Sequence, residues 1–121
     1  LDRADMAALL SQANVLGLPS RSEGFATTLL EAAACATPAI VTPVGGTDEL
    51  IPSPKFGTII PNAEVATIEA ALRKAARSPE ALRDRGRAVQ AEVRRDYSWQ
   101  RTAKRTIDAC RAANPRGRKL P

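Results

Sequence analysis

The sequence predicts an α/β fold, with a parallel sheet of about three short strands flanked by helices, and three observations carry that prediction. Short apolar, partly β-branched runs alternate with stretches of helical apolar spacing. The apolar residues are almost all Ala, Val, Leu and Ile, with 44% hydrophobic and only 3% aromatic residues, which suits aliphatic layers of helix on sheet. Gly and Pro cluster between the runs as turn signals. The 121 residues are the size of one domain, able to bury roughly two thirds of the unfolded surface.

Along the chain, Met6, Leu9 and Leu10 recur at helical spacing between Asp5 and Ala13, and Val15-Leu16-Gly17-Leu18 follows as a short strand ahead of the loop at Pro19-Ser20. A helix is expected after Thr28, through Leu29, Leu30 and the alanine block, stopping near Thr37-Pro38. Ala39-Ile40-Val41-Thr42 reads as a buried strand and Pro43-Val44-Gly45-Gly46 as a glycine turn. Thr47 to Leu50 forms a short capped helical turn ended by Pro52-Ser53-Pro54, and Gly57 to Pro61 is a third strand. Val65, Ile68, Leu72 and Ala75 form the apolar stripe of an amphipathic helix. Ser78-Pro79-Glu80 restarts the chain as cap, first-turn proline and dipole-compatible acid. The helix it opens turns Leu82, Val89 and Val93 inward and ends near Tyr97, and Ser98 caps a last helix through Trp99, Ile107 and Cys110. Trp99 is expected to pack. Residues 1–113 read as one partial domain and residues 114–121 as a disordered basic tail. Strand–helix alternation implies right-handed crossovers and parallel pairing. Three strands leave faces and edges to be covered, so the sheet reads as part of a larger one.

The net charge of +5 raises nucleic acid as a partner. The basic residues are scattered through helices after Arg73, with no aromatic interleaving and no zinc-finger or helix-turn-helix spacing, so no nucleic-acid partner is expected. Cys35 and Cys110 stand outside any Cys-x-x-Cys spacing and read as small core residues of a reducing compartment. The chain has no histidine, which excludes serine–histidine and cysteine–histidine catalysis within it. No apolar run approaches the ~20 residues that span a bilayer, and no signal peptide opens the sequence, giving a cytoplasmic default.

The segment that carries chemistry is Glu23-Gly24-Phe25-Ala26-Thr27-Thr28-Leu29-Leu30-Glu31, two carboxylates straddling a tight turn and a helix start. Gly24 permits close approach of main chain to a ligand, and Thr27 and Thr28 can cap a helix whose amides face the same spot, which suits an anion. Plainer readings stand beside this one. Thr28-Leu29-Leu30-Glu31 is also a capping box, Glu23 can be a solvated loop acid, Gly45-Gly46 can be no more than a turn, and Glu49 suits a structural or solvated role. The arginines at 83, 85, 87, 94 and 95 fit a wet helix face, with an anionic membrane surface as a secondary use.

In order, Leu18-Pro19-Ser20, Glu23-Gly24-Phe25, Leu30-Glu31-Ala32, Ala34-Cys35-Ala36-Thr37-Pro38, Val44-Gly45-Gly46 with Glu49, and Tyr97-Ser98-Trp99 resemble the C-terminal half of nucleotide-sugar-dependent glycosyltransferases of the GT-B fold, family 4 or group 1 type, over about residues 2 to 99. The resemblance implies the C-terminal part of a Rossmann-like domain that binds a nucleotide diphosphate sugar as substrate, with no cofactor and no metal, in a retaining transfer. It implies that Glu23, the expected catalytic residue, faces the hydroxyls of the transferred sugar. Gly24, Phe25, Ala26, Thr27 and Thr28 meet the sugar and diphosphate, Glu31 accepts from the ribose hydroxyls, and Gly45 and Gly46 leave room beside the donor. Helix-start amides bind phosphate without a metal, and an acceptor-only carboxylate suits vicinal hydroxyls.

Ala36 departs from the pattern, standing where the family usually has glycine, and its methyl is expected only to tighten the helix end. The acceptor domain and the basic pair that clamps the diphosphate are expected upstream, with Arg21 and Lys55 no obvious substitutes. On that reading the chain alone is inactive, its partners being the donor and a missing N-terminal acceptor domain, with a possible peripheral contact at the inner membrane surface. The alternative is a non-catalytic Rossmann-like binding or assembly module whose open sheet edge is covered by a partner or by self-association.

Overall fold

The structure, a computed structural model, describes residues 2–113. The expected tail at 114–121 lies outside the described residues. Nine elements follow in order: α1 (Arg3–Gln12), β1 (Leu16–Leu18), α2 (Thr27–Ala34), β2 (Ala39–Val41), α3 (Thr47–Leu50), β3 (Thr58–Ile59), α4 (Val65–Ala76), α5 (Pro79–Asp96) and α6 (Trp99–Ala113). The sheet has the order β1-β2-β3 and is parallel throughout, as alternation predicts. Leu16, Gly17 and Leu18 pair with Ala39, Ile40 and Val41, and Ile40 and Val41 pair with Thr58 and Ile59. The central strand β2 is buried along its whole length, and the core gathers Leu29, Ala33, Val41, Leu50, Ile51, Val89 and Val93, with Leu16, Leu18, Phe56 and Tyr97 packed against it.

Helix ends differ from expectation where local hydrogen bonds decide. The first helix begins two residues before Asp5, because the Asp2 carboxylate accepts from the Asp5 amide at 2.8 Å. Helix α2 is capped by neither threonine: Ala26 is its N-cap, no side chain bonds the first turn, and the Thr28–Glu31 capping box does not form. Ser78 likewise gives α5 no side-chain cap, although Pro79 opens the helix as expected, whereas the Ser98 hydroxyl accepts from the Arg101 amide at 3.2 Å.

The C-terminus of α2 is a Schellman turn. The Thr37 amide donates to Ala32 O at 2.9 Å and the Ala36 amide to Ala33 O at 3.1 Å, with Ala36 left-handed at φ 61°. The Ala36 methyl therefore strains this turn rather than merely tightening it. Thr37, 2% exposed, donates its hydroxyl to Leu10 O at 2.6 Å and ties α1 to the turn. Helix α5 packs over the same turn through Gly86, where a Cβ would fall onto the Ala36 carbonyl, and Gln90 Nε2 donates to the open Ala34 carbonyl at 2.9 Å.

Leu82, Val89 and Val93 face inward as expected. The apolar residues of α4 are at most half-buried, as Ile68 and Ala75 are, and those of α6 are exposed. Val65 is 79% exposed, and Trp99, expected to pack, is 86% exposed. Both cysteines also fall outside the core: Cys35 ends α2 half-buried, and Cys110 is exposed on α6. Three strands and the helices α2 and α5 bury one another, α4 rests partly on α5, and among the described residues nothing covers the apolar face of α6.

Candidate donor site at the carboxyl ends of the strands

In an open parallel sheet, ligands are met where strands end and loops begin. The loop after β1 carries Ser20 to Ala26, and the loop after β2 carries Thr42 to Gly46. Two hydroxyls shape them. Thr42 donates to the Ser20 carbonyl, joining the two loops. Thr47, 1% exposed, accepts from the Val44 amide at 3.1 Å and donates to Thr42 O at 2.9 Å, which folds the glycine turn back on its strand.

That fold brings the expected residues together. Gly45 lies against Glu23 so closely that a Cβ would meet the Glu23 side chain and carbonyl, and Gly46 faces the Phe25 ring, 3.8 Å from where a Cβ would stand to Cδ2. Both glycines are left-handed, at φ 58° and 75°, so each is required by conformation, and Gly45 also by space. Gly24 differs from expectation: its φ is not left-handed, and a Cβ there would meet nothing within 4 Å. Its contribution is open space beside the loop.

Glu23 is half-buried, and Ser20 donates to its Oε1 at 2.6 Å, which fixes the carboxylate in one orientation. Ser20 belongs to the Leu18-Pro19-Ser20 motif, whose sequence assigns it no role; its place three residues ahead of Glu23 is the signal for one. Thr27 N donates to Phe25 O, and Leu29 and Leu30 N donate to Ala26 O, while among the described residues the amides of Phe25, Ala26 and Thr28 donate to no backbone carbonyl. These amides, at the positive end of the α2 dipole, follow Glu23 within five residues. Arg21, exposed, is the only cation in residues 19–28.

Glu31 is exposed one turn further along α2 and lines a different cavity, of about 370 Å³, together with Asp2, Arg3, Met6, Ala7 and Leu10 of the first helix and its cap. Glu23 and Glu31 therefore lie on either side of the α2 start. A larger cavity, about 640 Å³, opens between the end of α1, the α2–β2 turn, α4 and α5, and contains none of the expected site residues. It opens beside Val15 and Pro38, at the amino ends of β1 and β2, whereas the expected site residues gather at the carboxyl ends. No group of three or more His, Cys, Asp or Glu converges among the described residues.

The parallel sheet with its glycine turn at the strand ends defines an α/β domain of the GT-B glycosyltransferase type. Sucrose-phosphate synthase from Thermosynechococcus elongatus superposes on it with a TM-score of 0.85 and 26% identity, over 93% of this chain and 28% of that one. Residues 1–92 match the family described as "Glycosyl transferases group 1", and the chain belongs to that family. It is 35% identical over its whole length to 29% of a glycogen synthase from Mycobacterium tuberculosis. It is 33% identical over 90% of its length to 26% of a D-inositol 3-phosphate glycosyltransferase from an Arthrobacter species. The chain thus spans under a third of the length of these relatives. Among the described residues no helix is long and apolar enough to cross a membrane.

Proposed function

We propose that this chain forms the donor-binding wall of a retaining, metal-independent glycosyltransferase that transfers a sugar from a nucleotide diphosphate. The observation that carries this reading is the packing of Gly45 on Glu23 and Gly46 on Phe25. It sets an oriented carboxylate beside amides at a helix start, the pair of groups that a sugar and a phosphate need.

In this reading Glu23, held by Ser20, accepts hydrogen bonds from hydroxyls of the transferred sugar, and the amides of Phe25 to Thr28 meet the diphosphate with no metal or cofactor. Glu31, with the 370 Å³ cavity beside α1, takes the ribose hydroxyls and the nucleoside. As the bond from the anomeric carbon to the diphosphate oxygen breaks, the electron pair leaves with the diphosphate, whose growing charge the amides stabilise. The acceptor oxygen takes the vacated position with configuration kept, and its proton leaves with the diphosphate. The acceptor and the cations that clamp the diphosphate are assigned to the remainder of a longer protein, without which the chain binds but does not transfer.

Binding calorimetry on the protein that carries this chain tests the reading. Glu31→Ala is expected to weaken nucleotide and nucleotide sugar alike, and Glu23→Ala to weaken the nucleotide sugar more than the free nucleotide. Wild-type binding by both variants would overturn it.

The exposed Trp99, Ile107, Val65 and Leu72, and an outer edge of β1 that is unpaired among the described residues, favour a second reading, an assembly module whose faces are closed by a partner or a second copy. Light scattering after size exclusion separates the two: a stable monomer that binds donor excludes the module. Peripheral attachment to an anionic membrane through the basic α5 and α6 belongs to the same proposal and predicts salt-sensitive binding to anionic vesicles.

A further inference from the structure

At the other end of the sheet, where β3 begins, a cavity of about 360 Å³ lies between the loop Ile51–Gly57, the start of β3 and the helices α4 and α5. Its polar lining is Ser53, Thr58, Lys74 and Arg85, and no carboxylate lines it. Arg85 Nη1 donates to Thr58 Oγ1 at 3.0 Å, the one side-chain bond that holds the guanidinium, and neither Arg85 nor Lys74 pairs with a carboxylate among the described residues. Four of the five guanidinium N–H donors are therefore uncommitted to protein side chains. Thr58 accepts from Arg85 and Ser53 accepts from the Lys55 amide at 3.4 Å, which leaves both hydroxyl protons available to donate.

We propose that this cavity is an anion site that takes a phosphate group, either free or carried by a small phosphate monoester. Two cations of opposite reach, a planar fork on α5 and an ammonium on α4, converge with two hydroxyl donors on a concave surface. That cationic lining, with hydroxyl protons to donate and no carboxylate, suits a phosphate dianion and repels a metal ion. The apolar walls, Ile51, Pro52, Pro54 and Ile59, and the volume leave room for a small organic skeleton behind the phosphate. Gly57 shapes the floor, where a Cβ would collide with Ile51 Cδ1 and crowd the Ala39 carbonyl. Arg85 and Lys74 belong to neither the donor site nor the core, so the assignment is independent of the donor reading.

Calorimetric titration with inorganic phosphate and with a hexose monophosphate, against sodium chloride of matched ionic strength, tests it in the protein that carries this chain. Hydrogen exchange of the peptide 51–60 is followed in parallel. Saturable binding with slowed exchange in that peptide is expected, weakened about tenfold or more by Arg85→Gln and by Lys74→Gln, since each removes a charged donor. Tighter binding of the monoester would assign the apolar wall to the skeleton, and equal binding would assign the site to free phosphate. Lys74, exposed, can be replaced without touching the Thr58 bond, so its variant decides the matter if Arg85→Gln fails to fold. Binding no different from chloride, exchange unchanged in 51–60, or a Lys74→Gln variant that binds as wild type would each overturn the assignment.

Discussion

Gly45 stands directly against Glu23, so close that no side chain fits between the glycine turn and the carboxylate loop. The carboxylate is thus positioned from two directions, by the Ser20 hydroxyl within its own loop and by the backbone of the next loop pressed behind it. Gly45→Ala combines a collision with a left-handed φ of 58°, and is expected to cost about 2–4 kcal/mol in stability. Any folded fraction should show weakened donor binding. Chemical denaturation and donor titration check the two effects separately.

Ser20→Ala removes the bond at 2.6 Å to Glu23 Oε1 but leaves the Ser20 carbonyl to accept from Thr42. Stability should change by under about 1 kcal/mol, while affinity for a nucleotide sugar falls about fivefold and that for the free nucleotide stays level. Parallel calorimetry with the two ligands reads the difference.

The Schellman turn at the end of α2 supplies an opposed pair of substitutions. Ala36→Gly relieves the left-handed strain and should stabilise by about 1 kcal/mol. Gly86→Ala drives a methyl onto the Ala36 carbonyl and should destabilise by more than about 2 kcal/mol, because backbone rather than a flexible side chain must give way. Thermal unfolding of both variants checks the signs.

Asp96 links α5 to α6, with Oδ2 at 2.7 Å from Arg95 Nη2 and Oδ1 at 3.2 Å from Arg101 Nη2. The hydrogen bond from Arg95 lowers its pKa below 3.8, so below that value the unfolded chain binds the proton first and stability falls as pH drops. Tyr97 acts at the other end: burial, reinforced by Glu49, raises its phenol above 10.0, so its contribution holds below 10 and is lost as pH rises through the raised value. Unfolding curves of wild type and Asp96→Asn should differ at neutral pH and converge in acid, with added salt narrowing the gap.

The strands, their parallel order and the helical segments were legible because Ala39-Ile40-Val41 and the stripe of Leu82, Val89 and Val93 are periodic and locally consistent. Contacts between distant residues were not. Gly86 looks like a helix weakness until the Ala36 carbonyl is seen beneath it, and Gly45 looks like a turn until it meets Glu23. Spacing also identified the apolar faces of α4 and α6 without revealing that the first is only half-buried and that nothing among the described residues covers the second. Thr27 and Thr28 are competent caps, but competence does not fix where a helix begins, and Ala26 takes the cap of α2.

Hydrogen exchange with bound ligand tests the donor-wall reading most directly. A nucleoside diphosphate is expected to slow exchange at residues 25–31, and the same nucleotide carrying its sugar to add protection at Glu23 and Gly45-Gly46. Protection confined to the 640 Å³ cavity, at residues 11–15 and 72–83, would contradict it.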